Sequence, residues 1–161
     1  MGLPFVDSDQ VIEQRIGSSI RAFFEREGEG AFRDLEAVVI DELTRSPQAV
    51  VGTGGGAVLR AENRQCLRAR GQVVYLRSSA EDLFRRLRHD RQRPLLQVAD
   101  PLARLKELHS QRHPLYAQTA HFTIDTGRPS VATLVNMILM QLDMAGLAPQ
   151  AGASGQGPAR P

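Results

Sequence analysis

Ala49-Val50-Val51-Gly52-Thr53-Gly54-Gly55-Gly56 is a short apolar run that ends directly in a glycine series. Three residues, Ala49 to Val51, bounded by a Pro47 turn and by glycine, read as a buried strand and not as a helix. Three glycines in a row let the backbone approach a ligand closely and turn its N–H groups toward an anion. They also carry a large entropy cost on folding, so a purely structural turn rarely needs all three.

The same grammar extends in both directions. Phe5-Val6-Asp7, Val73-Val74-Tyr75-Leu76 and Phe122-Thr123-Ile124-Asp125 are further short strands. Between them lie helical patterns. Val11, Ile12 and Ile16, then Ile20, Phe23 and Phe24, recur at helical spacing, with Gly17 dividing two helices and Ser18 or Ser19 capping the second. Gly28 and Gly30 bracket a turn, and Phe32, Leu35, Val39 and Leu43 continue in a helix that stops before Ser46-Pro47. Glu62 to Ala69 form a short helix ending at Gly71. Ser78 with Glu81, or Ser79 with Asp82, caps a helix running to about Arg91. Asp100-Pro101 opens another that reaches about Arg112. Ser130 caps the last, whose apolar face is Val131, Leu134, Val135, Ile138, Leu139 and Leu142. Strands alternating with helices predict an α/β fold, a parallel sheet flanked by helices over residues 1–145. Residues 146–161, rich in Gly, Ala, Pro, Gln and Ser, read as a disordered tail.

Composition narrows the function. The 161 residues carry no apolar run long enough for a membrane span, and Met1 to Asp9 lack the pattern of a signal peptide. One cysteine, Cys66, excludes a disulfide framework or cysteine-based zinc site and points to the reducing cytoplasm. Among 20 basic residues only Lys106 is not arginine. The guanidinium fork grips carboxylates and phosphates at two points. A nucleic-acid binder would use such residues too, but 18 acidic residues offset them and the aromatics number only six Phe and two Tyr. No nucleic acid and no membrane are therefore expected as partners, and a monomer is the expected state.

In parallel sheets ligands bind beyond the carboxyl ends of the strands. That rule selects Asp7-Ser8-Asp9, Gly54-Gly55-Gly56 and Ser78-Ser79. Two carboxylates one residue apart can hold Mg2+ through water and accept a substrate hydroxyl, or Ser8 or Asp9 can simply cap a helix. Arg33 lies three residues before Glu36, a spacing that lets the carboxylate hold the guanidinium. Arg93-Pro94 and Arg112-His113-Pro114 each place an arginine beside a proline. His89, His109, His113 and His121 show no metal-ligand spacing and read as surface or packing residues.

Taken in order, Asp7-x-Asp9, Phe32-Arg33-x-x-Glu36, Gly54-Gly55-Gly56, Arg93-Pro94-Leu95-Leu96 and Arg112-x-Pro114-Leu115-Tyr116 resemble shikimate kinase, from Gly2 to about Leu142. The resemblance implies a P-loop kinase fold with a five-stranded parallel sheet. It implies phosphoryl transfer from ATP, with Mg2+, to the 3-hydroxyl of shikimate in aromatic amino-acid biosynthesis. It also assigns roles. Asp9 would accept the shikimate hydroxyls and orient the attacking oxygen. Arg33 and Arg112 would grip the carboxylate, with Gly54, Gly55 and Gly56 lining the pocket and Glu36 bracing Arg33. Asp7 would hold a water of the Mg2+ shell. Arg93 would close over the phosphates and stabilise transition-state charge, Arg86 would lie against the adenine, and Arg128 would contact the nucleotide.

The family's Gly-x-x-x-x-Gly-Lys-Ser/Thr loop does not occur among these 161 residues, and Lys106 in Arg104-Leu105-Lys106-Glu107 has no glycines before it. The expected sheet is therefore P-loop kinase-like but missing the central first strand, which would lie between 49–51 and 73–76. A slot about 4.8 Å wide per strand leaves two unpaired edges, at roughly 1–3 kcal/mol for each buried unpaired group. The expectation is a chain that is unstable or aggregating when expressed alone and that does not phosphorylate shikimate. It is read as a shikimate kinase whose reading frame is cut at its 5′ end. The alternative is a non-catalytic shikimate-binding remnant or regulatory module.

Overall fold

A computed structural model describes residues 2–46, 48–87 and 98–147. The chain alternates β1 (Phe5–Asp7), α1 (Ser8–Ile16), α2 (Ile20–Arg45), β2 (Val50–Gly52), a 3-10 turn (Ala57–Leu59) and α3 (Ala61–Arg70). It continues with β3 (Val74–Arg77), α4 (Ala80–Leu87), α5 (Pro101–Thr119), β4 (Phe122–Asp125) and α6 (Val131–Met144). The predicted α/β alternation is present, and every strand pair is parallel.

The strands form two pairs. β1 lies on β2, with Val6 opposite Val51, and β3 lies on β4, with Tyr75 opposite Thr123. Among the described residues no ladder joins β2 to β3. This is where the sequence places its missing central strand. Helices α1 and α2 pack on each other around buried Ile12, Phe32 and Val39, with Val11, Ile16, Ile20, Phe23, Phe24, Leu35 and Leu43 closing over them. Each of the three buried side chains contributes about 1.5–3 kcal/mol through removal from water.

Local signals fix most element ends. Asp7, not Ser8 or Asp9, caps α1: its Oδ1 accepts the Asp9 N–H at 2.9 Å. Ser19 accepts from Ala22 and opens α2. Ser79 and Asp82 form the pair at the start of α4, with the Asp82 N–H donating to Ser79 Oγ at 3.1 Å. Asp100 and Ser130 cap α5 and α6.

The chain does break at Gly28, whose φ of 83° and ψ of 171° are non-helical and separate two helical segments within α2, although Gly30 already lies in the second of them. Two further expectations need correction. Helix α5 does not end at Arg112. It continues through Pro114 to Thr119, because its far end is held from outside: Arg68 Nη1 donates to the carbonyls of Gln118, Thr119 and Ala120 at 3.3, 3.2 and 2.9 Å. A cation on the last carbonyls opposes the roughly 3 kcal/mol that an interior proline costs. Finally, α6 turns inward only along Leu134, Ile138 and Leu142; Val131, Val135 and Leu139 stay exposed. Helix α6 packs on β4, one strand of a two-stranded pair. The expected end of α4 near Arg91 and most of the expected tail lie outside the described residues, as does Arg93.

Alternation along a strand aims the backbone groups of successive residues to opposite sides. Val50 donates to Pro4 and Val73 accepts from Phe122, so Val51, Val74 and Leu76 point their N–H groups into the gap between the pairs. Hydrogen exchange is expected to be at least about tenfold faster at Val51, Val74 and Leu76 than at Val50 and Phe122. Equal protection on both sides would mean the gap is closed.

Candidate active site

The carboxyl end of β2 delivers the glycine series into a ring of side chains from three helices. Asp9, in the first turn of α1, brings its Oδ1 to 3.1 Å from where a Cβ on Gly54 would stand. A Cβ on Gly55 would lie 3.0 Å from the Tyr116 hydroxyl and 3.6 Å from Arg112 Nη1, both from α5. A Cβ on Gly56 would fall inside the Arg33 guanidinium. With Arg33 in that position, only glycine fits there. Asp9, Arg33, Arg112 and Gly54–Gly56, separated by up to a hundred residues in sequence, thus meet in one place.

Arg33 is held by its own helix. Nη1 donates to Glu36 Oε1 at 2.7 Å, and Nη2 reaches Glu29 at 3.3 Å one turn earlier. The guanidinium also lies over the Phe32 ring, 5.2 Å from its centroid. Glu36 is 1% exposed. Burial pushes its carboxyl above the ordinary range, the Arg33 hydrogen bond and charge pull it back, the Asp9 charge raises it and the Arg112 charge lowers it. The charges of Asp9, Arg33 and Arg112 therefore all reach Glu36.

The loop is anchored beyond the glycines too. Asn63, fully buried in α3, donates from Nδ2 to Ala57 O at 3.0 Å, and Arg64 Nη1 donates to Val58 O at 2.7 Å. Neither residue was singled out by sequence reasoning; an asparagine inside a helix carries no signal of what it will meet.

The residues expected on the nucleotide side are assembled in part. Arg86 Nη2 on α4 donates to Thr126 O at 2.6 Å, two residues before exposed Arg128, so both belong to the surface around the end of β4. Asp7 stands half-buried at the end of β1, its Oδ1 engaged as a cap. Among the described residues no group of three His, Cys, Asp or Glu could enclose a metal ion, and no helix is long and apolar enough to cross a membrane. His113 and His121 do the packing work expected of them: His113 Nδ1 meets the Tyr75 hydroxyl at 3.1 Å, and His121 Nδ1 accepts from Val73 N at 3.0 Å.

Parallel strands flanked by helices are the fold of a P-loop-type kinase. The family model for shikimate kinase matches residues 1–143. The chain is 57% identical to the shikimate kinase of Ralstonia nicotianae over 96% of its length and 81% of that protein. It is 60% identical to that of Paracidovorax citrulli over 92% and 83%. In structure it resembles shikimate kinase from Acinetobacter baumannii in complex with shikimate, at TM-score 0.85 and 43% identity, covering 90% of this chain and 80% of that one. Shikimate kinase from Aquifex aeolicus follows at TM-score 0.77 and 31% identity, covering 91% and 85%. The chain belongs to the shikimate kinase family, the ATP-dependent kinases of aromatic amino-acid biosynthesis.

A carboxyl raised by folding stabilises the fold below its ordinary value of 4.5, and that contribution is lost as pH rises through the raised value. Melting temperature measured from about pH 4 upward should therefore fall more steeply in the parent chain than in Glu36→Gln, which keeps an oxygen for Arg33 but does not titrate. Parallel curves for the two would show that Glu36 is not the group responsible.

Proposed function

We propose that Asp9, Arg33, Arg112 and the Gly54–Gly56 backbone bind shikimate. The single observation that carries this reading is the convergence of two guanidiniums and one carboxylate on the glycine series. A planar carboxylate matches the arginine forks, and ring hydroxyls match Asp9 as acceptor. Glu36 holds Arg33 in place through the 2.7 Å bond. Asp9 orients the oxygen that attacks the terminal phosphate of ATP, and its carboxylate accepts that oxygen's hydrogen bond.

Arg86 and Arg128 serve the nucleotide, as does Arg93 in the segment between α4 and α5. Mg2+, when bound, neutralises phosphate charge. Asp7 fits an outer position in its shell, since one carboxylate with one oxygen already engaged offers no cage by itself. The chain acts as a cytoplasmic monomer in this reading, with residues 1–145 as its folded unit.

The phosphate-binding Gly-x-x-x-x-Gly-Lys-Ser/Thr is not among these 161 residues, and Lys106 is paired with Glu81 at 3.0 Å on the surface of α4 and α5. We infer that these residues by themselves hold the acceptor and do not turn it over. The second reading, a shikimate-binding module without catalysis, draws on that same observation.

Calorimetric titration separates these statements. Shikimate should bind the chain, and Arg112→Met should weaken it by about ten- to a hundredfold, the worth of a charge-assisted hydrogen bond. The methyl ester of shikimate should already be weak and lose little more in the variant. An equal loss for acid and ester would place Arg112 away from the carboxylate. Product formation with ATP by the unsupplemented chain would overturn the inactivity.

A further inference from the structure

We propose that Tyr116 is a positioning residue that locks the orientation of the Gly55–Gly56 peptide in the acceptor pocket. This rests on the acceptor reading above and assigns a role to a side chain outside it. The Tyr116 hydroxyl donates to Gly55 O at 2.6 Å, across 61 positions of sequence. A trans peptide is planar, with its C=O and N–H pointing in opposite directions. Holding the Gly55 carbonyl toward α5 therefore aims the Gly56 N–H to the other side.

Both flanking residues of that peptide are glycine. Neither has a Cβ to resist rotation of the peptide plane, so flipping it is cheap. The bonds that close the loop itself, Ala57 N–H to Gly54 O and Leu59 N–H to Gly56 O, both at 3.1 Å, leave the Gly55 carbonyl to Tyr116. One phenol supplies the restraint that side chains supply elsewhere.

The phenol is itself fixed, because its ring packs on the Tyr75 ring with centroids 5.0 Å apart. The Tyr75 hydroxyl points elsewhere, meeting His113 Nδ1 at 3.1 Å. Arg112 lies one turn before Tyr116 on the same face of α5, and both reach the position a Gly55 Cβ would occupy. The Gly55–Gly56 peptide thus adjoins both arginines proposed to grip a ligand carboxylate, Arg112 beside Gly55 and Arg33 beside Gly56. Tyr116 acts on the carboxylate through the peptide that it holds.

Tyr116→Phe keeps the ring on Tyr75 and removes only the hydroxyl. Titrated with shikimate and with its methyl ester, the full chain carrying Tyr116→Phe should lose about tenfold for the acid and little for the ester, so the ratio of the two affinities falls. The amide signal of Gly56 in a 15N-labelled sample should broaden as its peptide begins to flip. Tyr75→Phe should change neither. Equal losses for acid and ester, or an unchanged Gly56 signal, would reduce Tyr116 to a packing residue and overturn the inference. If the parent chain binds shikimate and Tyr116→Phe binds it equally well, this inference alone fails. If the parent chain binds no shikimate, the acceptor reading fails and takes this one with it.

Discussion

A carboxylate sealed from water at 1% exposure must be met by a cation, and that requirement at Glu36 organises the pocket around it. Arg33 answers from the same helix at 2.7 Å, and once its fork is committed there the space above it is closed to any side chain at position 56. The glycine series, the helix spacing and the Phe32 ring beneath the guanidinium are consequences of one buried charge needing one partner. Removing Arg33 leaves the Glu36 carboxylate uncompensated inside the protein, a loss of about 3–5 kcal/mol. The pair does not serve stability for its own sake, since apolar residues would pack as well. Its product is a guanidinium that does not move.

The fold was largely legible because its signals are local. Caps at Ser19, Asp100 and Ser130, and glycine after the strand at β2, belong to short stretches whose physics does not depend on the rest of the chain. The errors fall where distant contacts decide. Pro114 argues for a helix end, yet Arg68, far away in sequence, holds the carbonyls beyond it. The apolar residues of α6 argue for a buried face, yet of that face only Leu142 is buried, because burial depends on what packs against it.

The site was legible as a set of residue types but not as a geometry. Arg33 and Glu36 announce their pairing by spacing. Asp9, Gly54 and Arg112 announce nothing about one another, and only the resemblance to a family joined them in advance. Tyr116 shows the limit well. It stood inside a quoted motif, four residues after Arg112, and helical spacing alone puts the two on one face; what that face would touch, the carbonyl of Gly55, could not be read from the chain.

The walls of the pocket also differ in when they exist. Asp9, Arg33, Glu36 and the three glycines all lie within residues 7–56, a contiguous stretch containing the helix-packed cluster of Ile12, Phe32 and Val39. Arg112 and Tyr116 arrive on α5 after β3 and α4 have been made. Because synthesis runs from the N-terminus, the residues of that N-terminal stretch are made first, and the pocket cannot close until α5 has followed. Its last wall is joined to the others by contacts across 61 positions, Tyr116 to Gly55, and 52 positions, Arg68 to Ala120. Completing the pocket is therefore a long-range step.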